Sequence, residues 1–240
     1  MASGHDTQQH IVSAFTDELD LLSANLLKMG GIAEAMIKDA CRAVVKDDPD
    51  LATSVIQRDA ELDKLESECE RDMIRILALR QPMASDLRMV IGGIKLAGTI
   101  ERIGDLAKNI ARRSIRLDDA PTKVSLRGIK SMGKAVSRQL TTALDAYAKL
   151  DAKAAVEVIV QDDDIDSHYN ALLRLMLSFI AEVPEHIDSR AQVLFIVKNL
   201  ERIGDHCANI AKTVHYIATG EQVLSEGELA LLASDAANED

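Results

Sequence analysis

An all-α fold of two tandem three-helix bundles is what this sequence predicts, and three observations predict it. Apolar residues recur at helical spacing through most of the chain. Aromatics make up only 2% and Trp is absent, while Ala, Leu, Ile and Val dominate, a composition that suits close-packed helices better than strands. The chain also repeats itself. Glu101-Arg102-Ile103-Gly104-Asp105 recurs as Glu201-Arg202-Ile203-Gly204-Asp205, and both copies continue through Asn109/Asn209, Ile110/Ile210 and Ala111/Ala211.

The first ten residues are polar and read as a disordered N-terminus. A first helix follows over 11–46, with Phe15, Leu19, Leu22, Leu26 and Met29 in one stripe. It stops at Asp47-Asp48-Pro49, where Asp48 is the N-cap and Pro49 the first position of a second helix over 49–80. Gln81-Pro82 breaks the chain, and a third helix carries the first ERIGD to a break at Asp118-Asp119-Ala120-Pro121. Helices over 122–150, 151–181 and 187–218 repeat the plan. Met29/Met132, Gly30/Gly133, Ala43/Ala146, Lys46/Lys149, Asp48/Asp151, Val55/Val158 and Ile56/Ile159 confirm it at a constant offset of 103 residues. Repeat units therefore span 11–120 and 121–220, and 221–240 forms a flexible acidic tail.

Composition narrows the function classes. A net charge of −11 repels phosphate backbones and anionic lipid, which leaves room only for a local basic face and argues against nucleic acid as a partner. Cys41, Cys69 and Cys207 form no CxxC pair and read as buried small hydrophobes. With no secretory signal pattern and no apolar run long enough to span a bilayer, a cytoplasmic location is expected. There is no Gly-rich phosphate loop, GxSxG, HExxH or Glu-x-x-His, so no enzyme is expected.

What the sequence does carry is paired carboxylates. Glu101 and Asp105 share one helix face, as do Glu201 and Asp205. Like charges at that spacing repel, and a Gly inside the motif costs about 1 kcal/mol against Ala in a helix interior. Two unfavourable choices made twice point to a cation between the carboxylates, with glycine admitting a neighbouring helix. Lys108 sits three residues after Asp105, yet Ala208 stands at its counterpart, so a local salt bridge does not explain both copies. The 103-residue register adds a second duplicated pair, Asp59/Asp63 aligned with Asp162/Asp166, and leaves Glu66 and Glu70, aligned with Tyr169 and Leu173, to solvated surface. Four carboxylates from two neighbouring helices suit a hard cation, and Mg²⁺, Ca²⁺, Mn²⁺ and oxidised iron all accept such a set. A solvated acidic edge remains the bland alternative. His206 reads as surface.

The doubled ERIGD with its downstream Asn-Ile-Ala, together with Arg80-Gln81-Pro82-Met83-Ala84-Ser85-Asp86-Leu87-Arg88, closely resembles the PhoU family over residues 11 to 220. The resemblance implies two side-by-side three-helix bundles and repression of the phosphate regulon when phosphate is plentiful. Its members act as adaptors between the Pst transporter, through its ATPase PstB, and the sensor histidine kinase PhoR, with membrane association only through those partners and with a homodimer expected. It also implies bound iron, zinc, manganese or magnesium at E(D)xxxD motifs, which match Asp59/Asp63, Glu101/Asp105, Asp162/Asp166 and Glu201/Asp205. Partner contacts are expected at Asp86, Arg88, Arg102 and Arg202. The second half departs from the pattern, with Pro184-Glu185-His186-Ile187-Asp188 replacing the QPxASDLR segment. Two rival readings are a metal-dependent enzyme and a metal-storage protein built on the same carboxylates.

Overall fold

The computed structural model describes residues 3–117, 122–182 and 187–222. Among these residues seven helical segments follow one another: α1 (Ser3–Lys46), α2 (Pro49–Arg80), α3 (Ala84–Ser114), α4 (Lys123–Lys149), α5 (Ala152–Val160), α6 (Asp162–Glu182) and α7 (Ile187–Thr219).

Local chemistry sets the first turn of each repeat in the same way. Asp47 and Leu150 adopt left-handed backbone conformations with φ of 54° and 51°. The next amides, of Asp48 and Asp151, reach back to the carbonyls of Ala43 and Ala146 at 3.0 and 2.9 Å, which satisfies the orphan acceptors at each helix end. The Asp48 and Asp151 carboxylates then accept from the amides of Leu51 and Ala154, starting α2 and α5.

Two expected boundaries move. α1 begins at Ser3 instead of residue 11, so the polar stretch expected to be disordered continues the helix; extending an existing helix needs only one favourable residue at a time, whereas nucleating one is costly. The single helix expected over 151–181 is broken at Gln161 into α5 and α6. At the break the side-chain amide of Gln139, from α4, donates to the Val158 carbonyl at 3.4 Å, the acceptor that the Asp162 amide would use in a continuous helix. The expected breaks at 118–121 and at Pro184 lie outside the described residues, as does the expected tail beyond Gln222.

α1, α3, α4 and α7 form the centre, with α1 packed on α4 and α3 on α7; α2 covers α1 and α3 on one flank, while α5 and α6 cover α4 and α7 on the other. Both seams run antiparallel. Along the first, Ser23 meets Tyr147, Thr141 donates to Glu34 at 2.7 Å, and Gly133 lies under Cys41. A Cβ at Gly30 or Gly133 would stand 2.4 and 2.5 Å from Leu144 and Cys41, so these two aligned glycines set how closely the halves approach. Along the second seam, Gly92 faces Ile217, and the Arg113 guanidinium lies over the Phe195 ring while donating to Gln192. The buried apolar residues of both repeats form one continuous cluster. Among the described residues no helix is long and apolar enough to cross a membrane.

Candidate functional site

The duplicated carboxylates come together as the sequence arranges them, two from each repeat's middle helix facing two from its last. The motif glycines make this possible. A Cβ at Gly104 would lie 2.2 Å from Leu62 of α2, and one at Gly204 would lie 3.0 Å from the Asp162 carboxylate of α6. Glycine buys close approach of the neighbouring helix at a cost in helix propensity.

The two clusters are chemically unlike. In the first, the Lys108 ammonium is paired with both Asp59 and Asp105, so it bridges α2 and α3 where a bound cation would sit. Asp59 is 6% exposed. Glu101 has its carboxyl pushed up to about 7, first by burial and then by the negative charges of Asp105, Asp63 and Glu66. Burial also raises Asp63, as do the charges of Asp59 and Asp105, against a lowering by Lys108. Glu66 is raised by burial and by Glu70 and Asp63. It belongs to this cluster, which corrects its assignment to solvated surface. Its alignment with Tyr169 hid that role, because the duplication argument kept only residues common to both copies.

In the second cluster, among the described residues, no lysine is ion-paired to carboxylates of both helices: Ala208 stands where Lys108 does, and Lys198 pairs with Glu201 alone. Asp166, Glu201 and Asp205 bring one carboxylate oxygen each to within 4.8 Å of one another, the only such group among the described residues. Glu201 is 12% exposed at its side chain; its Oε1 accepts from Lys198 at 2.5 Å, and its Oε2 is buried without a hydrogen-bond partner. The Lys198 ammonium also lies 4.9 Å from the centre of the Tyr169 ring. Asp162 accepts from Gln139 at 3.0 Å. Its carboxyl is raised by burial, lowered by that hydrogen bond, raised by Asp205 and Asp166 and lowered by Lys212, with the net shift upward.

An orphaned, buried carboxylate oxygen beside two more carboxylates is what a divalent cation would satisfy, so the second set fits a metal. The first set fits one only if Lys108 is displaced. Histidine adds little: His206 is half-buried where the sequence expects surface, and its pKa is lowered by burial and by Arg102 and Arg202. That both arginines act on it places the two ERIGD copies opposite each other across the α3/α7 seam, with Arg102 and Arg202 exposed. Arg88 has an internal partner. It donates to the Ile217 carbonyl at 3.3 Å and so caps the end of α7. Asp86 is half-buried near the start of α3, within hydrogen-bonding reach of Ser85.

The raised Glu101 carboxyl has a measurable consequence. Its folded pKa of about 7 exceeds its ordinary value of 4.5, so its contribution is fully present below 4.5 and is lost as pH rises through 7. Asp63 and Glu66, also raised, slope the same way. In metal-free protein, Glu101→Gln is therefore expected to melt increasingly above the parent between about pH 5 and pH 8. Parallel melting curves across that range refute the assignment.

The PhoU domain family matches this chain twice, over residues 26–114 and 129–214. The chain is 42% identical over 219 residues to a phosphate-specific transport system accessory protein PhoU homolog of Caulobacter vibrioides, covering 91% of this chain and 95% of that one. A homolog of the same description from Rhizobium meliloti is also 42% identical over 219 residues, covering 90% and 92%. The crystal structure of PhoU from Pseudomonas aeruginosa is similar with a TM-score of 0.83 and 36% identity, covering 86% of this chain and all of that one. The phosphate transport system regulatory protein PhoU from Streptococcus pneumoniae is similar with a TM-score of 0.82 and 30% identity, covering 88% and 100%.

Proposed function

This chain belongs to the PhoU family, and from that premise we propose that it is an accessory regulator of phosphate-specific transport that acts by binding and carries out no catalysis. The observation that carries this reading is a pair of carboxylate clusters with no activated nucleophile beside them. The three thiols are buried, with burial pushing Cys41 up to about 12, Cys69 up to about 11 and Cys207 further still, so none is a thiolate near neutral pH. The clusters would serve as oxygen ligands for a hard cation such as manganese, magnesium, iron or zinc. Asp166, Glu201 and Asp205, with Asp162 beside them, would hold it in the second repeat; Asp59, Asp63, Glu101 and Asp105 would do so in the first, in competition with Lys108. A bound cation would relieve the repulsion between carboxylates on neighbouring helices and so hold each hairpin in register.

In this reading the protein links the transporter ATPase PstB to the sensor kinase PhoR by protein contact. The exposed Arg102 and Arg202 at the α3/α7 seam offer a cationic patch for an acidic partner surface, and Asp86 an acceptor nearer the α2/α3 tip. Arg88 is better assigned to holding α7. Deleting the protein is expected to raise expression from phosphate-regulated promoters in phosphate-rich medium, and deleting the kinase as well is expected to abolish that rise. High promoter activity in the double deletion sinks the adaptor reading and favours a metal-dependent enzyme, whose phenotype would not need the kinase.

A further inference from the structure

The α1/α4 seam opens at one end into a groove of about 690 Å³, and six cations against one carboxylate, Glu34, line its walls although the chain carries a net charge of −11. Lys38, Arg42 and Lys46 line it from α1, and Arg138, Lys134 and Lys130 from α4. Each set is spaced at i, i+4 and i+8, so each forms a row roughly 12 Å long on one helix face. Because the helices run antiparallel, with Glu34 against Thr141 and Cys41 against Gly133, the rows face each other as three rungs: Lys38 with Arg138, Arg42 with Lys134, and Lys46 with Lys130.

Among the described residues only two of the six cations are neutralised by an ion pair. Lys38 is paired with Glu34, and Arg42 with Asp39. Lys46, Lys130, Lys134 and Arg138 make no ion pair among the described residues. A second observation points into the same groove. Ser137, which lines it, is 4% exposed and its hydroxyl has no hydrogen-bond partner. A buried hydroxyl without a partner is unfavourable unless something from outside supplies one.

The internal repeat provides a control for chance. The positions 103 residues away from the six cations hold Leu27, Gly31 and Ala35 on α1, and Thr141, Asp145 and Lys149 on α4. The pseudo-equivalent end of the seam therefore keeps one cation of six, so the ladder is neither inherited from the duplication nor required by the packing that both ends share.

From this geometry we infer that the α1/α4 groove binds a short polyanion of two or more linked phosphate groups, read by its phosphates alone. Facing rows of ammonium and guanidinium groups suit a chain of anionic groups better than a single compact ion, and Arg with a hydroxyl donor suits phosphate oxygens. No aromatic side chain lines the groove, so a nucleobase would find no stacking surface. A long nucleic acid would meet the repulsive field of the whole chain, which a short ligand confined to the groove escapes.

Calorimetry on the full, metal-stripped chain at about 150 mM salt tests this with tripolyphosphate, orthophosphate, citrate, ATP and a single-stranded oligonucleotide. Tripolyphosphate is expected to bind once per chain, about tenfold more tightly than orthophosphate or citrate, and to weaken as salt rises. ATP binding as tightly as tripolyphosphate supports a nucleotide source, and ATP binding more weakly supports an inorganic chain; both support the groove. Lys134→Glu with Arg138→Glu, both exposed, is expected to cost at least about tenfold in tripolyphosphate affinity with unchanged circular dichroism. Ser137→Ala is expected to cost a few-fold, and the exposed Lys149→Glu at the opposite end to cost nothing. Absence of tripolyphosphate binding, equal binding of orthophosphate or citrate, tighter binding of the oligonucleotide, or indifference to the Lys134/Arg138 reversal each overturns the proposal.

Discussion

Lys108→Ala is expected to lower the stability of the metal-free protein by about 2–3 kcal/mol near neutral pH, and added divalent cation to restore most of the loss. The Lys108 side chain is 14% exposed and that of its partner Asp59 9%, while Asp105 is 45% exposed. Removing one member of a buried ion pair typically costs about 3–5 kcal/mol, and the exposure of Asp105 brings the expectation to the lower end. For a chain of this size that corresponds to a fall in melting temperature of roughly 5–10 °C. The loss has a specific cause: Asp59, Asp63, Glu66, Glu101 and Asp105 would share one site without a positive charge. Millimolar magnesium or manganese should therefore raise the melting temperature of the variant more than that of the parent. Equal melting temperatures without metal, or no extra rescue with it, would show that Lys108 is not the first cluster's counter-ion.

Metal affinity is expected to divide unevenly between the repeats. Glu201→Gln with Asp205→Asn should weaken the tightest divalent binding by at least about 100-fold, since it replaces two of the three converging carboxylates with neutral amides, Glu201 with its orphaned Oε2 among them. Glu101→Gln with Asp105→Asn should change that tight binding by less than about threefold, because Lys108 already occupies the space between Asp59 and Asp105. Plasma mass spectrometry of protein equilibrated with a limiting cation measures both. Equal halving of bound metal by either pair would falsify the asymmetry and return the clusters to equivalence.

Duplication made much of this legible in the sequence. Asp48 and Asp151 could be read as caps because aspartate before a helical pattern has one local use, and the glycine of ERIGD could be read as a close approach because it is costly and occurs twice. What stayed hidden depends on residues distant in the chain. At the break at Gln161 the Val158 carbonyl is taken by Gln139 from another helix, and no periodicity within 151–181 announces such a partner. Glu66 and Lys108 were obscured by the same logic that found the clusters: a search for what both copies share discards what distinguishes them. The cations of the groove are two unremarkable i, i+4 rows more than 80 residues apart, and they become one surface only when α1 lies against α4.

The joining of both repeats into one apolar cluster also bears on how the chain is made. Ser23 and Tyr147, which meet at the seam, are separated by 124 positions. At about 5–20 residues per second a ribosome needs roughly 6–25 s to supply the second partner after the first. During that interval α1 and α3 emerge with their seam faces uncovered, and the chains nearest to them on a polysome carry the same uncovered faces. Completion of each molecule is thus a race between its own second half and a neighbour's first, a contest that slower translation of α4 would tilt toward misassembly.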